Sequence, residues 1–263
     1  MLEIKDLYCG YQGKDIIKGI SLEAHRGEFL CIVGPNGCGK TTLLRAVSRI
    51  IPSRGVLSLD GRDLAALPRR DLARTIALLG QASELYFPYT VYDTAALGRY
   101  AHAAGLFTGL SARDRAIIDD SLMRLDLYGE RDRLITELSG GQLQRVFLAR
   151  TLVQDPEIIL LDEPTNHLDL KHQTALLRYV SRWAKDNRKM AVGILHDLNL
   201  ARYFAGRVAL MNEGKIITCG SPAEALGPEI LRETFGLDVG AFMRESLKKW
   251  KAPGPEGAAR ISQ

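Results

Sequence analysis

The sequence predicts an α/β protein with a parallel sheet at its core, an antiparallel β subdomain and an inserted helical subdomain. Three observations lead there. The runs Glu28 to Val33, Ile158 to Leu161 and Met190 to Leu195 are almost wholly apolar, as strands buried on both faces must be. Helical patterns alternate with them, an order that places the strands in parallel and puts ligands at their C-terminal ends. The N-terminal stretch alternates apolar and polar residues, whereas Val91 to Leu138 reads as helix.

Taken in chain order, Leu2, Ile4 and Leu7 are interleaved with Glu3 and Lys5. A second extended run covers Ile16 to Ala24, and a third, Val56 to Leu59, ends in the turn pair Asp60-Gly61. These are expected to pair as antiparallel strands. The buried run Glu28 to Val33 leads into a helical pattern from Thr41 to about Ile50, stopped by Pro52. Thr75 to Leu79 reads as a further strand. Within the helical stretch, Ala112 to Leu127 is amphipathic and richly charged. The chain end, with Pro253, Gly254, Pro255 and Gly257, reads as a frayed tail.

Composition narrows the function classes. Hydrophobic residues make up 46% and charged residues 25% of 263 positions, which supplies one large core or two small ones. The net charge of +4 is spread along the chain without a basic stripe and interleaved aromatics, so no nucleic-acid partner is expected. No apolar run approaches the roughly 20 residues that span a bilayer. Residues Met1 to Asp6 lack an apolar signal core. Cys9, Cys31, Cys38 and Cys219 have no metal-ligand or disulfide spacing. They read as small buried hydrophobes in a reducing cytosol.

Gly34-Pro35-Asn36-Gly37-Cys38-Gly39-Lys40-Thr41 fits the pattern G-x-x-x-x-G-K-[ST], with a strand before it and a helix after it. The glycines let the backbone curl so that successive N–H groups point at phosphate. The helix N-terminus favours an anion. Lys40 can reach the β- and γ-phosphates, and the Thr41 hydroxyl can ligate Mg²⁺. Cys38, beside that helix start and Lys40, is expected to favour the thiolate. Asp162 ends an apolar strand, where its carboxylate can hold the Mg²⁺ shell. Glu163 follows and can act as general base on an attacking water. His196, just past another core strand, is placed to bond a γ-phosphate. Gln81, past Leu79, can ligate Mg²⁺ or orient water.

A second anion site follows. In Leu138-Ser139-Gly140-Gly141-Gln142, Ser139 can cap the helix that starts there, and the glycines expose its first N–H groups. A chain with one phosphate loop has no obvious use for two such sites.

Together these residues resemble the ATP-binding-cassette family, in the correct motif order from about Leu2 to Ala225. Walker A corresponds to Gly34 through Thr41 and Thr42, and the glutamine loop to Gln81. The signature motif is Leu138 to Gln142, continuing Leu143-Gln144-Arg145. Walker B is Ile158 to Asp162, with the catalytic glutamate at Glu163. The D-loop is Leu168-Asp169 and the switch histidine is His196. The resemblance implies a P-loop NTPase core of the RecA-like kind that hydrolyses ATP with Mg²⁺. Thr41, Gln81 and Asp162 are then the metal residues, and Lys40, Gln81, Glu163 and His196 the catalytic ones. Tyr11 stacks on adenine, with Tyr8 as competitor.

The resemblance also implies two copies pairing head to tail, each ATP lying between one P-loop and the partner copy's Ser139-Gly140-Gly141. Residues 1–85 and 139–225 would form the nucleotide-binding core, 86–138 a helical insertion that docks a membrane permease, and 226–263 a C-terminal extension. A narrower resemblance rests on Thr90-Val91, on Ala96 to His102 followed by Phe107, on Thr165 to Gln173 with Asn166-His167, and on His196-Asp197-Leu198-Asn199. These look like the ATPases of bacterial importers for iron-siderophores, haem and vitamin B12. That implies two permease copies, an indirect periplasmic or surface binding protein, and a position on the cytoplasmic face of the inner membrane. The alternatives are the ATPase of another ABC importer or exporter, or a soluble P-loop ATPase of the repair type.

Overall fold

The computed structural model describes residues 1–80, 88–103, 109–166 and 168–249. Gln81, Phe107 and His167 lie outside the described residues, as does the expected tail. The chain divides into two compact units, Met1–Ala225 and Leu226–Gln263. The second contains two helices, Pro228–Phe235 and Val239–Lys249.

The first unit is built on two sheets. Strands β1 (Leu2–Tyr11), β2 (Lys14–Ala24), β4 (Ser53–Leu59) and β5 (Arg62–Asp63) form an antiparallel sheet in the order β2-β1-β4-β5. The second sheet has the order β10-β9-β3-β8-β7-β6. Its strands are β3 (Phe29–Val33), β6 (Ile76–Leu79), β7 (Ile158–Asp162), β8 (Met190–Ile194), β9 (Arg207–Asn212) and β10 (Lys215–Gly220). All its pairs are parallel except β9–β10. Every residue of β3, β7 and β8 is buried, which is why these runs carry no alternation. One apolar cluster joins Leu7, Ile17 and Ile20 of the first sheet to Leu30 and Ile32 of the second, through Leu43 and Leu44 of helix α1 (Lys40–Val47).

Helix α1 is shorter than expected. It ends at Val47 because Arg49 takes a left-handed φ of 55° and Ile50 N–H turns back to the Arg45 carbonyl at 2.9 Å, well before Pro52. Thr75 belongs to helix α2 (Arg69–Thr75), its hydroxyl donating to the Asp71 carbonyl at 2.7 Å, so β6 begins one residue later than read. The expected helical region holds α3 (Val91–Ala96), a 3₁₀ segment Leu97–His102 and α4 (Ala112–Arg124). Helix α4 stops short of Leu127 because Asp126 adopts φ 55°. α3 and α4 pack on α5 (Gly140–Val153), burying Val91, Ala95, Ile118, Leu122, Val146 and Phe147.

Each of these three helices starts in a capping box: Thr90 with Asp93, Ser111 with Asp114, and Ser139 with Gln142. Asp114 also accepts from Arg99 Nε at 2.7 Å. The Ser111 hydroxyl, with further help from Arg99, outweighs desolvation and holds Asp114 down at about 2. A value lower in the folded than in the unfolded chain means stabilisation present above about pH 4 and lost as pH falls from there towards 2. Asp114→Asn is therefore expected to destabilise by on the order of 1 kcal/mol at neutral pH, a modest figure because the pair is partly solvated. Urea unfolding at descending pH checks it. A deficit unchanged at pH 3 would remove the assignment.

Candidate functional site

β3, β8 and β7 run parallel and adjacent, so their carboxyl ends share one sheet edge. The phosphate loop leaves β3 there, Asp162 ends β7, and His196 follows β8. The loop's glycines are required by its path. A Cβ on Gly34, at φ 152°, would sit 2.0 Å from the Met211 carbonyl oxygen of β9. Gly39, at φ 106°, is the N-cap of α1. Between them Pro35 is half-buried while Asn36 and Gly37 are exposed. Lys40 is only 5% exposed. Its ammonium donates to the Gly34 and Pro35 carbonyls, each at 2.8 Å, and so stands at the mouth of the loop. Thr41 and the buried Thr42 open the helix.

The Thr41 hydroxyl donates to Asp162 Oδ1 at 2.9 Å. Asp162 is buried, and desolvation pushes its carboxyl above the ordinary value; the neighbouring Glu163 adds to this, against the Thr41 bond. A buried carboxylate beside a hydroxyl is a hard-oxygen donor set that a divalent cation would stabilise, and it suits Mg²⁺. Among the described residues no cluster of three or more His, Cys, Asp or Glu groups could hold a metal.

Glu163 has a left-handed φ of 53°, a backbone state that a non-glycine residue keeps only when its surroundings hold it. The holders are visible. His196 Nε2 lies 2.6 Å from Glu163 Oε1, and Asn166 Nδ2 donates to Oε2 at 2.5 Å. In the sequence Asn166 stands in a family-like segment and not among the expected site residues. Its position three residues past the glutamate, in the turn closed by Asn166 N–H to the Glu163 carbonyl at 3.2 Å, is the signal that could have found it.

The expectation for Cys38 is not met. Burial pushes its thiol above the ordinary value, and Lys40 pulls the other way without outweighing it. The sulfur is buried in the apolar cluster, with the Lys40 ammonium 3.9 Å away. Cys9 and Cys31 are likewise buried, and all four cysteines are free thiols.

Ser139 and Gly140 are exposed. Ser139 Oγ accepts from Gln142 N–H at 3.3 Å, and Ser139 N–H donates to Gln142 Oε1 at 3.0 Å. A Cβ on Gly140 would meet nothing within 4 Å among the described residues, so none of these calls for glycine there. Asp169 caps α6 (Leu170–Asp186). The backbone N–H of His172, with its ring, holds the Asp169 carboxyl below the usual range. Tyr11, at the end of β1, is exposed, and its hydroxyl accepts from Arg45 of α1 at 3.3 Å. Tyr8 instead lies over Gly19 and faces the Arg54 guanidinium, 5.7 Å from its ring centre.

A phosphate loop between a buried parallel strand and a helix, with carboxylates at the end of β7, one strand beyond the neighbouring β8, defines an ATPase of the P-loop class. The ABC transporter family matches residues 17–166, and the chain belongs to that family. It is 35% identical over 239 residues to the iron(3+)-hydroxamate import ATP-binding protein FhuC of Bacillus subtilis, covering 90% of this chain and 88% of that one. It is 37% identical to the hemin import ATP-binding protein HmuV of Rhizobium meliloti, covering 90% and 91%. Among solved structures, a metal-chelate type ABC transporter in an inward-facing conformation aligns with a TM-score of 0.78. Its identity is 28%, over 90% of this chain and 89% of that one.

Proposed function

We propose that this chain is the ATPase subunit of an importer for a metal chelate, of the iron-siderophore, haem or vitamin B12 class. The relatives named above support that cargo class. Within this reading, loop N–H groups from Gly34 to Thr42 and the Lys40 ammonium bind the phosphates, and Tyr11 stacks on adenine. The contact of Tyr11 with α1 supports it over Tyr8. Thr41, Asp162 and Gln81 would hold Mg²⁺, which would supply charge neutralisation at the phosphates. Glu163 accepts the proton of the attacking water, and His196 donates to the γ-phosphate. Asp169 lies where two copies meet.

The observation that carries the composite-site part is the exposed, glycine-opened start of α5. A helix start of this kind favours an anion, and the open space at Gly140 leaves room for a nucleotide held by a second copy. In this arrangement residues 1–85 and 139–225 form the nucleotide-binding core, 86–138 the docking insertion and 226–263 an extension. The partners are two permease copies and, indirectly, a binding protein. Among the described residues no helix is long and apolar enough to cross a membrane. The permease would hold the subunit at the cytoplasmic face of the inner membrane.

The test is cross-linking. Tyr100, in the 3₁₀ segment, is 72% exposed. Tyr100→Cys is expected to cross-link to a cysteine in the permease's cytoplasmic coupling helix, in a complex whose ATPase rises with loaded binding protein. ATP-responsive cross-linking to an exporter's membrane domain, or none to any permease, would overturn the importer reading.

A further inference from the structure

The start of α5 and the loop that begins at Glu163 touch within one chain at two places that none of the roles above requires. A Cβ on Gly141 would lie 3.4 Å from Leu168 Cδ2, so the helix surface there rests on the Leu168 side chain. Three residues on, Gln144 is 9% exposed, and its Nε2 donates to the Pro164 carbonyl at 3.1 Å. Residues three apart share a helix face, so one edge of α5 makes both contacts. The loop is fastened on its other side by α6, where Gln173 Nε2 donates to the Thr165 and Leu168 carbonyls at 3.2 and 3.0 Å. Glu163, left-handed and bonded to Asn166, is the first residue of this clamped loop.

We propose that Gln144 is a positioning residue that links the two ATP sites of the dimer. This rests on the composite-site reading above. In that dimer the start of α5 meets the ATP held by the partner copy's P-loop, whereas Glu163 serves the ATP held by its own chain. A helix moves as a stiff rod, so a shift at Ser139 and Gly140 reaches residue 144 little more than a turn later. There a buried amide passes it to the Pro164 carbonyl, one peptide from Glu163. The bond is directional, which packing alone is not. Methionine at 144 would keep the volume and lose the donor. Glutamate would keep the shape and aim an acceptor at a carbonyl.

Two mixed dimers separate action on the chain's own Glu163 from action at the start of α5. In the first, Gln144→Met in one chain is paired with Glu163→Gln in the other, so the only hydrolysing site uses the Glu163 of the Gln144→Met chain. In the second, one chain carries both changes and its partner is wild type, so the only hydrolysing site uses the altered chain's α5 start and the partner copy's Glu163. The reference pairs wild type with Glu163→Gln, all read in a single turnover. The first dimer is expected to lose roughly tenfold or more in rate at little-changed ATP affinity, since a misplacement of about 1 Å can cost about a hundredfold. The second is expected to stay within about twofold of the reference, because its working Glu163 keeps its own Gln144. Equal loss in both, loss in the second alone, or loss in neither overturns the link. Gln144→Glu is expected to repeat the pattern and decides the matter if the methionine variant does not fold. A silent reference dimer would count against the composite-site reading and not against Gln144.

Discussion

Replacing Glu163 by Gln is expected to leave ATP bound and to stop its hydrolysis. The amide preserves the shape of the carboxylate and its reach towards Asn166 and His196, so the left-handed turn is expected to persist. What disappears is the proton acceptor, and losing a positioned general base costs about 10²–10⁴-fold in turnover. Because the phosphate loop is untouched, nucleotide affinity should change little. The variant should also accumulate as a dimer with Mg·ATP and stay monomeric with ADP, since hydrolysis removes part of what the start of α5 holds. Steady-state ATPase, nucleotide binding and light scattering check the three parts. Near-wild-type turnover removes the general-base role, and a monomer at saturating Mg·ATP contradicts the composite site.

Lys40→Ala and Gly140→Asp are each expected to be inactive, for different reasons, and to restore activity when mixed. Lys40→Ala removes the cation at the mouth of the phosphate loop and should weaken both binding and turnover. Gly140→Asp adds an anion where the partner's phosphates would lie. A Cβ there meets nothing within 4 Å among the described residues of its own chain, so folding and ATP binding to the P-loop should survive. In a mixed dimer one site carries both defects and the other neither. Where one working site suffices, the mixture should recover up to about half the wild-type rate per mixed dimer, as an isologous pairing requires. ATPase titration of one variant into the other reads this directly. A mixture as silent as its components would argue that Lys40 and Gly140 of one chain serve that same chain's site, so that each site of the mixed dimer carries one lesion.

The phosphate loop and the end of β7 were legible in the sequence because their chemistry is local: glycines, a lysine and a carboxylate at fixed spacing in a strand-to-helix context. The resemblance supplied the rest of the motif order. What was not legible depends on residues far apart in the chain. Strand β9 went unread, although Val208 to Met211 is an apolar run bounded by the turn Asn212 to Gly214. Yet Met211 is what forces glycine at position 34. The Cys38 expectation failed for a similar reason. Lys40 and the helix start are adjacent in sequence, but the apolar cluster that buries the sulfur comes from elsewhere. Gln144 and Gln173 look like ordinary helix-surface amides until the fold brings the Glu163 loop between them.

The burial of Lys40 has a thermodynamic consequence. A lysine side chain free in solution loses up to about 2 kcal/mol of rotamer entropy when fixed. Here folding fixes it, through the Gly34 and Pro35 carbonyls, before any ligand arrives. In the proposed role of Lys40, capture of ATP would need little further ordering of this cation, and affinity would gain accordingly. The same reasoning ranks substitutions. Lys40→Arg keeps the charge, but the broader guanidinium has no such carbonyl cradle shaped for it, so its ordering would fall to the binding step. Calorimetry should show this as a less favourable binding entropy at conserved charge.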